Sequence, residues 1–221
     1  MRVTDMHISE LKSPLTDPAY DAALGDFAAR HVTCRGIDGA VQAYHAVRNM
    51  PYFSGPDRTP LAALRAGRGA CTAKHLVLRD LLRRLGFDAD VALVDCDFAL
   101  GVPAHASMPD ALRAVAGQGG VRDMHCWVQL VAADPLLLDA TWPDALGRFG
   151  FPVNSGWTGA GDTRPAVEGG VVRAICEDVL HRKPELLAEL SDQQTTRRQT
   201  FLRNLSAWLV DIPGDEGGNR P

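Results

Sequence analysis

The apolar positions of the chain fall into helical spacing first, then strand alternation, then helical spacing again. Tyr20, Ala23, Leu24, Phe27 and Ala28 recur at helical intervals, which predicts a helix from Pro18 onward. A second helix after the Gly36–Gly39 turn holds Val41, Tyr44, His45, Val47 and Arg48. The stretch PYFSGPDRTP at 51–60 reads as a loop, followed by a short helix from Pro60 to Ala66 and the turn Gly67-Arg68-Gly69. Residues 70–85, ACTAKHLVLRDLLRRL, carry the strongest helical pattern, and Gly86 stops it. VALV at 91–94 reads as a buried strand. Residues 97–122 form a long connection with a short helix from Pro109 to Ala116. His125 to Val131 alternates as a strand, Asp134-Pro135 turns the chain, and Leu136 to Thr141 forms a strand returning beside it. Residues 143–170, rich in Gly and Pro and holding Trp157, are expected to be a surface loop. Val171 to Ala174 supplies a further strand, residues 176–210 are helical, and the tail from 213 to 221 is expected to be disordered.

Helices, then antiparallel strands, then helices make an α+β layout. At 221 residues the chain suits a single domain spanning 1–212, large enough to fold without disulfide or metal. Its 46% hydrophobic and 23% charged residues exclude global disorder, and no apolar run reaches the length of a membrane span. Charges near the N-terminus, in MRVTDMHISELKSP, stand where a signal peptide needs its apolar stretch, so a cytoplasmic protein is expected. A net charge of -4 argues against nucleic acid and against a membrane surface as partner. The five cysteines, Cys34, Cys71, Cys96, Cys126 and Cys176, are odd in number, widely spaced and without a CxxC. A disulfide framework or a four-thiolate metal site is not expected from them.

One thiol stands apart. On a helix over 71–85, Arg79, Asp80, Arg83 and Arg84 share a solvent-facing arc. Val77, Leu78, Leu81, Leu82 and Leu85 occupy the opposite one, and Cys71 falls within that apolar arc, in the first turn. There the free N–H groups and the positive end of the dipole stabilise a thiolate. Gly67 and Gly69 would let the backbone approach a substrate, and the Cys71 N–H could serve an oxyanion. Against this stands the ordinary reading of Cys71 as a small buried residue. A cysteine nucleophile needs a base and a group that orients the base. His125 and Asp139 lie on two strands expected to pair as an antiparallel hairpin. If the pairing sum is even, both face one side, opposite or diagonal; a register centred near Ala132 would set them directly across.

The runs GRGACTAKHLVLRDLLRRLGFDADVALV, MHCWVQLV and LLLDATWP resemble the core of the transglutaminase-like superfamily, as does the preceding AYHAVRNMPYF. The resemblance covers about residues 40–143, and the C-x-x-K-H form is similar to a bacterial branch. It implies a papain-like α+β core, with a nucleophile helix packed on a small antiparallel sheet. It also implies a Cys71, His125, Asp139 triad for hydrolysis or acyl transfer at a peptide, protein or small amide. Thr72, Lys74 and His75 depart from the family pattern. The alternative is a domain of this kind that only binds peptides or partners.

Other residues carry weaker readings. Lys74 either snorkels to a nearby surface or places a cation in the cleft for a substrate carboxylate. His75 reads as a buried, hydrogen-bonded helix residue. A metal held by Cys71, His75, His125 and Cys126 is disfavoured, because adjacent strand residues point to opposite faces. No cofactor or metal is therefore expected. Asp134 fits turn chemistry better than the orienting role. Gln42 and Tyr52 are candidate oxyanion donors, and Trp142 either lines the cleft or covers the hairpin core. Segment 97–122 is a candidate cleft wall. Cys34, Cys96, Cys126 and Cys176 read as ordinary packing or surface residues.

Overall fold

Residues 71 to 82 are buried without interruption, and the rest of the chain is arranged around them. They belong to α4 (Cys71–Arg84), the strongest predicted helix. The structure is a computed structural model that describes residues 17–131 and 134–212. The expectations for residues 1–16, for the two residues at the tip of the predicted hairpin and for the 213–221 tail lie outside the described residues.

Three helices precede α4. The first, α1 (Pro18–His31), starts on an Asp17 carboxylate that accepts from the Ala19 N–H, with proline in the first turn. α2 (Gly36–Arg48) follows. α3 (Pro60–Ala66) is capped by Thr59 and closes at Gly67, whose φ of 63° favours glycine. Gly69 lies against Ala63 and Ala73, so its missing side chain lets α3 pack on α4.

After α4 come β1 (Ala89–Asp97), α5 (Asp110–Arg113), β2 (Arg122–Leu130), β3 (Leu136–Leu138), β4 (Val171–Cys176), α6 (Val179–Leu187) and α7 (Asp192–Asp211). The four strands form an antiparallel sheet in the order β3-β2-β1-β4. The fold is thus α+β, with helices packed on a small antiparallel sheet. One apolar cluster joins α1, α2 and α4 to the Met124, Cys126 and Val128 face of β2. A second gathers Tyr52, Phe98, Trp142 and Phe151 against Phe201 and Trp208 of α7. Among the described residues no helix is long and apolar enough to cross a membrane.

Three expectations are corrected here. Arg79 and Asp80 are buried, not solvent-facing, because α1 and the β4–α6 corner close over that side of α4. Asp80 accepts from Arg79 Nε and from the Tyr20 hydroxyl, each at 2.8 Å, and Arg79 Nη1 donates to the Glu177 carbonyl. Residues 143–170 are not simply a surface loop: Phe151, Trp157, Ala166 and Val167 are buried. Trp157 packs on Tyr44 with ring centroids 4.8 Å apart.

The third concerns Lys74, which neither snorkels nor enters a cleft. It is fully buried, and its ammonium donates to the carbonyls of Arg48, Met50 and Thr141 at 2.8–2.9 Å. Burial draws its pKa down to about 7, while three carbonyl acceptors favour the ammonium. The side chain thereby ties the end of α2 and the segment after β3 to α4. Lys74→Met should leave three buried carbonyls unpartnered and cost about 3 kcal/mol in denaturant unfolding. A loss under about 0.5 kcal/mol would mean that water replaces the ammonium.

Candidate active site

The start of α4 lacks a capping side chain. Ala70 occupies the N-cap, so no side-chain oxygen engages the first-turn N–H groups. Cys71, the first helical residue, is 3% exposed and points into the protein. His125 on β2 and Asp139 just beyond β3 converge on it. His125 Nε2 lies 2.8 Å from Asp139 Oδ2. The other ring nitrogen, Nδ1, is buried and closes no hydrogen bond of good geometry, and its interaction with the Cys71 sulfur is a loose one. Such catalytic contacts commonly tighten only around substrate.

The register that brings these groups together differs by a step from the one centred near Ala132. Val128 pairs with Leu138 and Leu130 with Leu136. Carried onward, that register sets His125 opposite Thr141, with Asp139 diagonal to it on the same face. Asp134 is exposed at the turn, away from His125.

Asp139 is heavily bonded. Oδ1 accepts from the Thr141 N–H at 3.0 Å, and Oδ2 accepts from the Ala166 N–H at 2.7 Å as well as from His125. Its own N–H donates to Thr163 Oγ1, and its carbonyl accepts from the Tyr44 hydroxyl. Burial would raise the carboxyl pKa, but His125 and the His75 contact outweigh it and hold it well below the usual range. Burial likewise opposes charge on His125; Asp139 and the Cys71 sulfur outweigh it and push the imidazole up to about 10. A hydrogen bond from Cys126, the Lys183 ammonium and His125 together hold the Cys71 thiol well below the ordinary thiol range, against burial. Both shifts favour the ion pair, thiolate with imidazolium, over the neutral pair.

Several participants were not anticipated. Lys183 of α6 is buried, donates to Thr72 Oγ1 at 2.8 Å and stands 3.8 Å from Cys71 Sγ. Burial works against its charge, and Cys71 nearby outweighs it and keeps its pKa above the usual lysine value. Its signal was present: Val179, Lys183 and Leu186 share one helical face, which places the lysine on the apolar side. Cys126 was read as ordinary packing, yet its sulfur lies 3.9 Å from Thr72 Oγ1 and interacts with Cys71. The Thr163 and Ala166 partners of Asp139 come from a segment without pattern, and nothing in the sequence marks them.

The remaining candidates divide. Tyr52 is buried within reach of the Cys71 charge; burial first, then Cys71 and Asp123, raises its pKa, so its hydroxyl stays a donor. Gln42 is elsewhere, with Oε1 accepting from the N–H groups of Thr33 and Cys34. Trp142 sits in the second core against Tyr52 and Phe151. His75 is buried, with Nδ1 on the Cys71 carbonyl and Nε2 accepting from the Ala140 N–H, each at 2.8 Å. Both its nitrogens are thus spent on backbone, which removes it as a metal ligand. Among the described residues no group of three or more His, Cys, Asp or Glu side chains is placed to hold a metal. Segment 97–122 is partly buried and touches the site. It sets Phe98 5.8 Å from the His125 ring and packs Ser107 against Trp208 of α7. A cavity of about 600 Å³ bounded by α6 and α7 reaches Thr72 and Lys183.

No protein-family model matches the chain, and no curated protein matches it.

The neighbours of Cys71 hold its thiol well below the ordinary thiol range, so its thiolate should be lost at a lower pH than that of an ordinary thiol. Removing a neighbouring cation moves that loss toward higher pH. Lys183→Gln should therefore raise the midpoint of the thiolate absorbance, or of alkylation at Cys71, by about one pH unit. An unchanged midpoint would mean that Lys183 holds Thr72 without tuning the sulfur.

Proposed function

We propose that this protein is a cysteine-dependent amide hydrolase or acyltransferase of transglutaminase-like type, with Cys71 as nucleophile, His125 as acid–base and Asp139 as the orienting acid. The observation that carries the reading is the His125 ring. One of its nitrogens is fixed by a buried carboxylate, and the other is left without a hydrogen-bond partner on the side of a thiol at an uncapped helix start. A satisfied core histidine would use both nitrogens, as His75 does.

The chemistry follows from these positions. The Cys71 thiolate attacks the acyl carbon, and the carbonyl π electrons move to oxygen. The first-turn N–H groups of α4 and the Lys183 ammonium lie beside that oxyanion, in a site with little water to screen them. As the C–N bond breaks, His125 gives its Nδ1 proton to the departing amine. The neutral imidazole then takes a proton from the incoming water or amine, whose oxygen or nitrogen displaces the sulfur. The same site thus serves hydrolysis and transfer.

Acyl-enzyme formation needs the thiolate and the imidazolium together. The rate should fall on the acid side as Cys71 protonates and on the alkaline side as His125 loses its proton near pH 10. Incubating the protein with a panel of peptide and small-amide donors and recording intact mass should reveal a covalent acyl adduct on Cys71, absent from Cys71→Ser. That variant should keep its stability within about 1 kcal/mol. Absence of any adduct, with Cys71 alkylated no faster than exposed Cys34 at neutral pH, would sink the reading.

Asp139 acts through His125. Asp139→Asn presents an amide and disturbs the imidazole tautomer, with an expected loss of about 10–1000-fold in kcat. His125→Ala removes the acid–base itself and should cost more. Asp134→Asn should stay within a few-fold, and a larger effect there would reassign the orienting acid.

A further inference from the structure

The cavity beside Cys71 has a charge pattern that the triad does not use. Its walls are apolar, with Val179 and Leu187 of α6 and Leu190 before α7. Three cationic side chains also line it: Arg58 from the loop before α3, Lys183 from α6 and Arg198 from α7. They come from distant parts of the chain, so no single amphipathic helix explains them. Among the described residues the one lining carboxylate is Asp192, exposed at the start of α7. Asp123 stands behind Arg198 and takes its Nε, while also accepting from the Met124 N–H.

Arg198 supplies the pointer to a ligand. It is 7% exposed, and its buried Nη2 has no hydrogen-bond partner among the described residues. A buried guanidinium nitrogen left unpaired is costly, and a carboxylate oxygen is the acceptor that suits it best. Arg58 uses one terminal nitrogen on Ser54 Oγ, and its charge is felt at Lys183 and at Tyr52. Lys183 gives one hydrogen to Thr72 and stands 3.8 Å from Cys71 Sγ, so two lining residues of the cavity, Thr72 and Lys183, adjoin the sulfur.

We infer that this cavity is the acyl-side pocket of the enzyme and that it selects amide substrates carrying a carboxylate close to the reacting carbonyl. The carboxylate meets Arg198 and Arg58, the apolar walls hold the carbon stem between carboxylate and carbonyl, and Lys183 stands at the carbonyl end. This rests on Cys71 being the nucleophile, and it adds what the nucleophile acts upon.

Iodoacetate and iodoacetamide test it, since they deliver the same carbon with and without a carboxylate. Alkylation of Cys71 by each is followed by peptide mass mapping at pH 7, with N-acetylcysteine amide as reference thiol. The iodoacetate-to-iodoacetamide rate ratio at Cys71 should exceed the reference ratio by about tenfold, the effect of one partly screened ion pair. Arg58→Gln, on a partly exposed side chain, should bring the ratio back toward the reference without depending on the fate of buried Arg198. Succinate should slow alkylation by iodoacetamide, and neutral succinamide should not. A ratio equal to the reference, unmoved by Arg58→Gln and with no succinate effect, overturns the carboxylate pocket and leaves the nucleophile standing. Iodoacetamide reactivity at Cys71 no greater than at Cys34 overturns both together.

Discussion

A carboxylate sealed from water sets the terms for everything near it. Asp139 is 2% exposed, and an isolated buried carboxylate would be untenable. It is held by the Thr141 and Ala166 N–H groups and by His125. Those donors come from the segment after β3, from the long irregular stretch before β4 and from β2. Satisfying one charge therefore fixes three otherwise separate parts of the chain relative to each other. It also explains why residues 143–170 cannot stay at the surface: their backbone is needed at the acid, and Thr163 Oγ1 is needed at its N–H. Loss of the carboxylate on acidification would release all three segments. The stabilisation is complete above the ordinary carboxyl value of 3.8 and disappears only as pH falls through the lower folded-state value.

The charges around Cys71 form a chain with the same logic. Asp139 sustains the imidazolium, the imidazolium and Lys183 sustain the thiolate, and the thiolate in turn sustains Lys183. Between the unperturbed values of 6.5 for imidazole and 9.0 for thiol, folding moves a proton from Cys71 to His125. Over that window the pair takes up no net proton, so it contributes no slope to stability against pH. The proposed nucleophile can thus be ionised in advance with little penalty in the neutral range. That is why the orienting acid is expected to matter less here than where the base must first remove a proton from a hydroxyl.

What the sequence made legible was local. The amphipathic run after Gly67 marked Cys71 as a helix start, and the strand parity of His125 and Asp139 put both on one face although the register was a step off. The illegible parts depend on contacts across long separations. Arg79 and Asp80 looked solvent-facing because periodicity cannot show that α1 and the corner before α6 cover that arc. Arg198 meets Asp123 across 75 positions, and Lys183 meets Thr72 across 111. Gln42 was chosen for its chemistry and its place upstream of Cys71; its real partners, Thr33 and Cys34, are a local loop. Lys183 is the instructive case, since its place on an apolar helical face was readable while its partner was not.

The residues of α4 that depart from the transglutaminase-like pattern have a common explanation. Thr72 receives the Lys183 ammonium and so docks α6 beside the sulfur. Lys74 gathers three carbonyls from the end of α2 and the segment beyond β3. His75 bridges the Cys71 carbonyl to the Ala140 N–H, next to Asp139. Each polar group on this buried turn answers a different neighbour, and none is left to face solvent. A helix that is buried on every side cannot place its first residue by packing alone, because apolar contacts are non-directional. Directional bonds from consecutive turns fix both the rotation and the height of the helix. A one-residue slip would unpair the Lys74 ammonium and both His75 nitrogens at once. Thr72, Lys74 and His75 therefore do positional work, holding Cys71 in front of His125.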